Sequence, residues 1–218
     1  MTGFDRVGLT RLLDDGARAL QVGLSPAQSA QLIDYLALLV KWNAVYNLTA
    51  VRDPVQMVTQ HLLDSLALVP ALADAQNILD VGAGAGLPGI VLAIWAAQAR
   101  PAARVALIDT VHKKTAFLTQ VKAELHLSNV TVYTARVERL RVEQKFDVIT
   151  SRAFADLSDF VKWSGHLLAG GGRFIAMKGA LPELEIECLP DGWTATGVQA
   201  LSVPGLDAER HLVFIERT

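Results

Sequence analysis

The chain has a single cysteine, Cys188, so it cannot close an internal disulfide, and a reducing compartment is its simplest setting. It has no long apolar run. The longest, Ile90–Ala97, is far too short to cross a bilayer. The opening MTGFDRVGLTRLLDDGARAL mixes charges of both signs among its apolar residues, which excludes the uninterrupted apolar core of a signal peptide. Charged residues are few, at 19%, and hydrophobic ones reach 51% of 218 residues, so the chain can bury a sizeable core and wholesale disorder is excluded. These absences predict a cytoplasmic protein with no membrane association, and nothing in the sequence calls for an obligate protein partner.

The net charge of −2 hides an asymmetry. Residues 1–99 carry 5 basic and 8 acidic side chains, residues 100–178 carry 13 and 7, and residues 179–218 carry 2 and 7. The basic middle, with Lys113, Lys114, Lys122, Arg136, Arg139, Arg141, Lys145 and Arg152, can attract a polyanion. It is equally compatible with an ordinary solvated surface.

The first seventy residues have helical spacing. Ser25-Pro26-Ala27-Gln28 forms a capping box with proline at the first helical position. Leu32, Leu36, Leu39, Trp42 and Tyr46 then give one apolar stripe, which predicts a helix ending near Asn47-Leu48-Thr49. Asp53-Pro54 opens a second helix carrying Val55, Val58, Leu62, Leu66 and Val69. From residue 77 the pattern changes to short β-forming runs: Asn77–Val81, Arg104–Asp109, Val130–Tyr133, Phe146–Ser151, Gly172–Lys178, Thr194–Val203 and His211–Glu216. Helices are expected near 88–98, 112–126 and 156–168. Such alternation predicts an α/β fold with a mostly parallel sheet covered on both faces. The last two strands, with no helix between them, predict an antiparallel hairpin at its edge. A seven-stranded sheet of this kind resembles the Rossmann-like class I methyltransferase fold. The expected division is a helical segment over 1–72 and a cofactor-binding domain over 73–218. There is no internal repeat.

The strongest local signal is Asp80-Val81-Gly82-Ala83-Gly84-Ala85-Gly86-Leu87-Pro88-Gly89, between a strand and a helix. Glycines let a ligand approach the main chain, and the following helix points free N–H groups at it. Residues 84–89 match the dinucleotide fingerprint G-x-G-x-x-G. The register from Asp80 to Gly86, D-x-G-x-G-x-G, resembles instead motif I of class I methyltransferases, whose loop cradles S-adenosylmethionine. A carboxylate at Asp80 suits a cationic ligand and would repel a pyrophosphate. Asp109 ends the second strand, where an acid can accept both ribose hydroxyls of either cofactor. Arg136-Val137-Glu138 follows the third strand, a position that flanks adenine in class I enzymes.

The end of the fourth strand reads Thr150-Ser151-Arg152-Ala153-Phe154. It lacks N-P-P-[YF], which clamps exocyclic amines. It lacks the cysteine that carbon-5 methylation of a pyrimidine requires. It offers arginine where 2′-O-methylation by a Lys-Asp-Lys-Glu set would want an acid. An acceptor that is already nucleophilic, such as guanine N7, remains compatible and needs no general base.

Together, Trp42-Asn43, Tyr46–Thr49, His61–Ser65, the DVGAGAGLPG loop, Ser151–Phe154, Met177-Lys178-Gly179 and Glu209–Leu212 resemble the ribosomal RNA small subunit methyltransferase G (RsmG/GidB) family from about residue 25 to the end. The resemblance implies methylation of guanine N7 in 16S rRNA, in a hairpin near the decoding centre, with S-adenosylmethionine as cofactor and 16S rRNA or the small ribosomal subunit as partner. It implies cofactor contacts at Gly82, Leu87, Val137, Glu138 and Arg152, beside Asp80, Gly84, Gly86 and Asp109 read from the loop and strand. His112-Lys113-Lys114 replaces the family's Gly-Lys-Arg, keeping charge and losing a glycine. Asn47, His61, Asp64, Arg136 and Lys178 are the candidate catalytic residues. His61 and Asp64 can line a cleft with Asn47, or pair locally to tie the helical segment to the sheet. No metal site is expected, since no third ligand accompanies them. Three other readings stay open: a methyltransferase for small molecules or proteins, an NAD-dependent oxidoreductase using residues 84–89, and a non-catalytic ribosome-assembly factor.

Overall fold

A computed structural model describes residues 4–152, 154 and 156–218. Residues 1–3 of the expected helical segment and Ala153 of the strand-end motif lie outside the described residues.

Helix α1 (Arg6–Ala19) starts at Asp5, whose carboxylate accepts from the Gly8 N–H. Helix α2 (Pro26–Tyr46) begins with the expected capping box. The Gln28 N–H donates to Ser25 Oγ at 3.2 Å, and the Ser25 N–H donates to Gln28 Oε1 at 2.8 Å. It ends at Asn47, in the left-handed region at φ 49°, as the motif there predicts. The next helix departs from its expected form. α3 (Pro54–Met57) runs into a wide π-helical turn, Val58–Leu63, then α4 (Asp64–Leu66), and the chain tightens to a 3₁₀ turn at Val69–Leu72. Within the wide turn the Gln60 carbonyl accepts from the Arg152 guanidinium at 2.9 Å. A side-chain donor at that carbonyl accounts for the break in the regular ladder, and apolar spacing carries no trace of it.

The strands are β1 (Asn77–Val81), β2 (Arg104–Asp109), β3 (Val130–Thr134), β4 (Phe146–Ser151), β5 (Leu168–Lys178), β6 (Trp193–Ala200) and β7 (His211–Arg217). They form one sheet in the order β3-β2-β1-β4-β5-β7-β6. The first five pair in parallel; β7 lies antiparallel between β5 and β6, so the expected C-terminal hairpin is present with β6 at the edge. Helices α5 (Gly89–Ala99), α6 (His112–Glu124) and α7 (Leu157–Ser164) connect the parallel strands. β5 starts earlier than expected, and a short acidic helix, α8 (Glu183–Glu187), precedes β6; its brevity leaves no periodicity to read.

Alternate residues of each strand face opposite layers. Ile78, Leu107, Val148 and Ile175 join α2, α5 and α6 in one cluster, while Leu79, Ile108, Ile149 and Phe174 join Phe160 and Val161 of α7 in the other. The first cluster also holds Leu9, Leu13, Leu62 and Leu66, so α1–α4 share a core with the sheet. Between β1 and β4 the strand order reverses direction, which opens a crevice at their carboxyl ends.

Leu36 is fully buried in this shared core. Leu36→Ala should cost about 2–5 kcal/mol and shift one cooperative transition in urea unfolding. Two separate transitions would show that α1–α4 fold apart from the sheet.

Candidate active site

The loop after β1 is held almost entirely by its own strands. The Gly82 and Ala83 N–H groups both donate to the Ile108 carbonyl, at 2.9 and 3.0 Å. The Gly84 N–H donates to Asp109 Oδ2 at 3.0 Å, and the Gly89 N–H to Asp80 Oδ2 at 2.8 Å. Gly84 has φ +56°, and a Cβ there would meet nothing nearer than the Gly82 carbonyl at 3.7 Å. It leaves open space for a ligand. Gly86 and Gly89 serve packing instead: a Cβ would meet Ile90 at 2.5 Å in the first case and Leu107 at 2.0 Å in the second. Leu87 is also buried.

Asp80 is fully buried below the loop. Burial pushes its carboxyl up to about 7, against the opposing pull of the Gly89 N–H and of Arg152. Its Oδ1 has no hydrogen-bond partner among the described residues. A buried carboxylate with an idle oxygen suits a cationic ligand group, which would restore its ionised form. The residues thus fit the cofactor expected from the loop.

Of the expected cofactor residues, Gly82, Asp109, Val137 and Glu138 line a pocket of about 260 Å³. Asp109 Oδ1 accepts from the Val111 N–H at 2.8 Å, and its Oδ2 also faces Lys114 Nζ at 3.4 Å. Each oxygen keeps acceptor capacity for a ribose hydroxyl. Arg136 lines this pocket too. Phe154 and Trp163 form one wall, with ring centroids 5.6 Å apart. Trp163 carried no signal in the sequence, because it shares a short helix with Phe160 and nothing in the spacing sets it apart from an ordinary apolar stripe.

A second pocket, of about 340 Å³, is lined by Gln60, His61, Asp64, Arg152, Met177, Lys178, Gly179 and Arg210. Arg152, expected against the cofactor, lines this second pocket. Asp64 Oδ2 meets an Arg152 guanidinium nitrogen at 3.0 Å and its Oδ1 meets Arg210 Nε at 2.9 Å. The Asp64 side chain is 1% exposed and the two arginines about a quarter exposed. The local His61–Asp64 ion pair expected as one reading is therefore replaced. His61 Nε2 pairs with Thr49 Oγ1 at 2.9 Å, and burial pushes the imidazole down to about 4, which leaves it neutral and without a charge to pair. The tie between helices and sheet exists, but the arginines make it. Lys178 Nζ donates to Glu185 Oε2 at 2.7 Å and to the Phe154 carbonyl at 3.2 Å. Asn47 lines neither pocket; its Oδ1 accepts from Arg52 at 2.7 Å. Among the described residues no cluster of three or more His, Cys, Asp or Glu is placed to hold a metal ion, and no helix is long and apolar enough to cross a membrane.

The family model for rRNA small subunit methyltransferase G matches residues 28–213. The chain is 72% identical to the ribosomal RNA small subunit methyltransferase G of Janthinobacterium sp. (strain Marseille), over 100% of this chain and 99% of that one. It is 70% identical to that of Herminiimonas arsenicoxydans, over the full length of both. Among solved structures, the O-methyltransferase TomG from Streptomyces achromogenes in complex with SAM superposes with TM-score 0.60 at 18% identity, covering 94% of this chain and 95% of that one. That likeness shows the fold alone, and the fold is that of class I methyltransferases, as the sequence pattern predicts.

The buried imidazole gives a pH test. In the unfolded chain a histidine titrates near its ordinary 6.5, whereas His61 in the fold titrates near 4. Between these values the unfolded chain binds the extra proton, so stability from neutral His61 is full above about 6.5 and is lost as pH falls toward 4. The loss is roughly 3 kcal/mol at most. Asp80 acts with the opposite sign over much of the same range. The comparison is therefore between the chain and His61→Asn, whose unfolding free energy should fall less steeply from pH 7 to pH 4.5. Equal slopes would show that His61 is not held neutral.

Proposed function

The chain belongs to the rRNA small subunit methyltransferase G family, and from that premise we propose that it transfers a methyl group from S-adenosylmethionine to N7 of one guanine in bacterial 16S rRNA, in a hairpin near the decoding centre. The second pocket is the observation that carries the acceptor atom. It presents Arg152, Lys178 and Arg210, and its carboxylate, Asp64, is held between two of these cations. An acceptor that must lose a proton needs a base. Both oxygens of Asp64 are already engaged by guanidinium groups, and His61, pushed down to about 4 with Nε2 engaged by Thr49, is a poor base. Guanine N7 has an in-plane lone pair and no proton, so it asks for position only.

S-adenosylmethionine supplies a methyl already activated on a sulfonium centre. The chain holds it and aims the acceptor, and such positioning can be worth several kcal/mol, roughly 7–11 at the upper limit. In this reading Asp80 faces the cationic end of the cofactor, with Gly82 and Gly84 as the surface it lies on and Gly86 and Leu87 shaping the turn beneath. Asp109 accepts the ribose hydroxyls, and Val137 and Glu138 flank the adenine with Arg136 at their side. Arg152, Lys178 and Arg210 supply donors for guanine O6 and phosphate. Asp64 and Glu185 offset two of these three positive charges, which limits repulsion as the guanine ring becomes cationic.

Residues 73–218 are read as the cofactor domain, and residues 1–72 as the helical segment that completes the acceptor pocket through Gln60, His61 and Asp64. Asn47, exposed beside Arg52, is left as a candidate for contact with RNA outside the pocket. The substrate is 16S rRNA or the small ribosomal subunit, met in the cytoplasm, with no obligate protein partner.

Incubation with labelled S-adenosylmethionine and unmodified small-subunit rRNA or particles, then digestion and mass spectrometry, should yield 7-methylguanosine. Bound cofactor with no label in RNA that a control enzyme can methylate would overturn the reading. Charge reversal at Lys113, Lys114 and Arg136 should weaken RNA binding and flatten its salt dependence, by roughly 0.7–0.9 in log–log slope for each phosphate no longer neutralised. An unchanged slope would remove the basic surface from the RNA interface.

A further inference from the structure

We infer that Tyr35 is a positioning residue for the cofactor loop: its buried hydroxyl, carried on α2, fixes the Ala85 carbonyl and thereby sets the affinity for S-adenosylmethionine. The inference rests on the cofactor site proposed for this chain.

Among the described residues, the loop's other turn bonds end within the loop, on β1, at the end of β2 or on the first turn of α5, which continues the loop directly. Gly82 and Ala83 donate to Ile108, Gly84 to Asp109, Gly86 and Leu87 to the Ala83 carbonyl, and Gly89 to Asp80. The Ala85 carbonyl is different. It accepts from Tyr35 Oη at 2.7 Å, across fifty residues of sequence. Ala85 sits between Gly84 at φ +56° and Gly86 at φ +94°. Glycine on both sides lets the intervening peptides rotate at little steric cost, so this segment needs an outside tether to hold one orientation. Tyr35 is suited to provide it. Its side chain is fully buried, its ring is 6.4 Å from that of Phe117, and burial pushes the phenol further up from its ordinary value, so it stays a donor.

Without the hydroxyl, the Ala85 carbonyl would be a buried acceptor lacking a donor, and the turn would relax away from it. Binding would then have to restore the turn. The expected consequence is a rise of about threefold to tenfold in cofactor Kd. At saturating cofactor kcat should not change, because the restored turn is the same.

The test uses the full chain and Tyr35→Phe, which keeps the ring and its packing. Calorimetric titration with S-adenosylmethionine gives Kd, and amide hydrogen exchange follows residues 82–89 with and without it. Asn129→Ala is the control for general destabilisation. Its amide donates to the Ala93 carbonyl at 2.9 Å, at the strand edge opposite the loop. The inference predicts a raised Kd, faster loop exchange that the cofactor slows again, and unchanged kcat for Tyr35→Phe, with none of these in the control. A Kd within twofold of the unaltered chain, or the same rise in the control, would overturn it and leave the cofactor reading standing. Failure of the unaltered chain to bind S-adenosylmethionine would instead overturn the cofactor reading itself.

Discussion

Three stretches of chain remote in sequence meet at the Asp64 carboxylate. Asp64 belongs to the helical segment, Arg152 follows β4, and Arg210 precedes β7. A buried carboxylate must be paired to be tolerated, and here two guanidinium groups pair with it, one at each oxygen. Removing one member of such a group leaves a charge unmatched, at a cost on the order of 3–5 kcal/mol. The same contact fixes where the remaining guanidinium N–H groups point. Helical layer, sheet and C-terminal strands are thus locked together at the place where the second pocket is built. Arg152 adds a second anchor by donating to Gln60 inside the wide helical turn.

Much of the fold was legible because strands and caps announce themselves locally. The Ser25–Gln28 box and the Asn47 terminus bound α2, and the apolar runs locate all seven strands to within a few residues apart from the start of β5 and the end of β6. The glycine loop was legible for the same reason. Gly82 and Asp109 line the first pocket with Val137 and Glu138. What depended on distant contacts was not legible. A shared helix face suggested that His61 and Asp64 pair with each other; the arginines that claim Asp64 come from 88 and 146 residues away. The wide turn at Val58–Leu63 and the Tyr35 hydroxyl bond are equally non-local. Family resemblance marked Glu209–Leu212 as a motif, but only the sheet order explains what Arg210 does.

The charge asymmetry also needed the structure to be sorted. Some of the basic middle holds the fold together. Arg100 donates to the Leu72 carbonyl at 3.1 Å and Arg173 to the Ala71 carbonyl at 2.7 Å, so both anchor the 3₁₀ turn before β1. Arg152 is committed to Asp64 in the second pocket. Lys113 and Arg136 stay exposed, and Arg136 and Lys114 line the first pocket. The surface left for a polyanion is therefore smaller than the sequence count suggests, and it borders the first pocket.

The reversed direction of β7 has a consequence for when the protein becomes complete. Because β7 runs against β5, with His211 opposite Lys178, its first residues lie at the same sheet edge as the ends of the parallel strands. A parallel last strand would have carried Arg210 to the far edge. The residues that line the first pocket end with Trp163 of α7, whereas the second pocket lacks a wall until residue 210 has been made. A chain growing from its N-terminus can therefore make every residue that lines the first pocket well before Arg210 supplies a wall of the second.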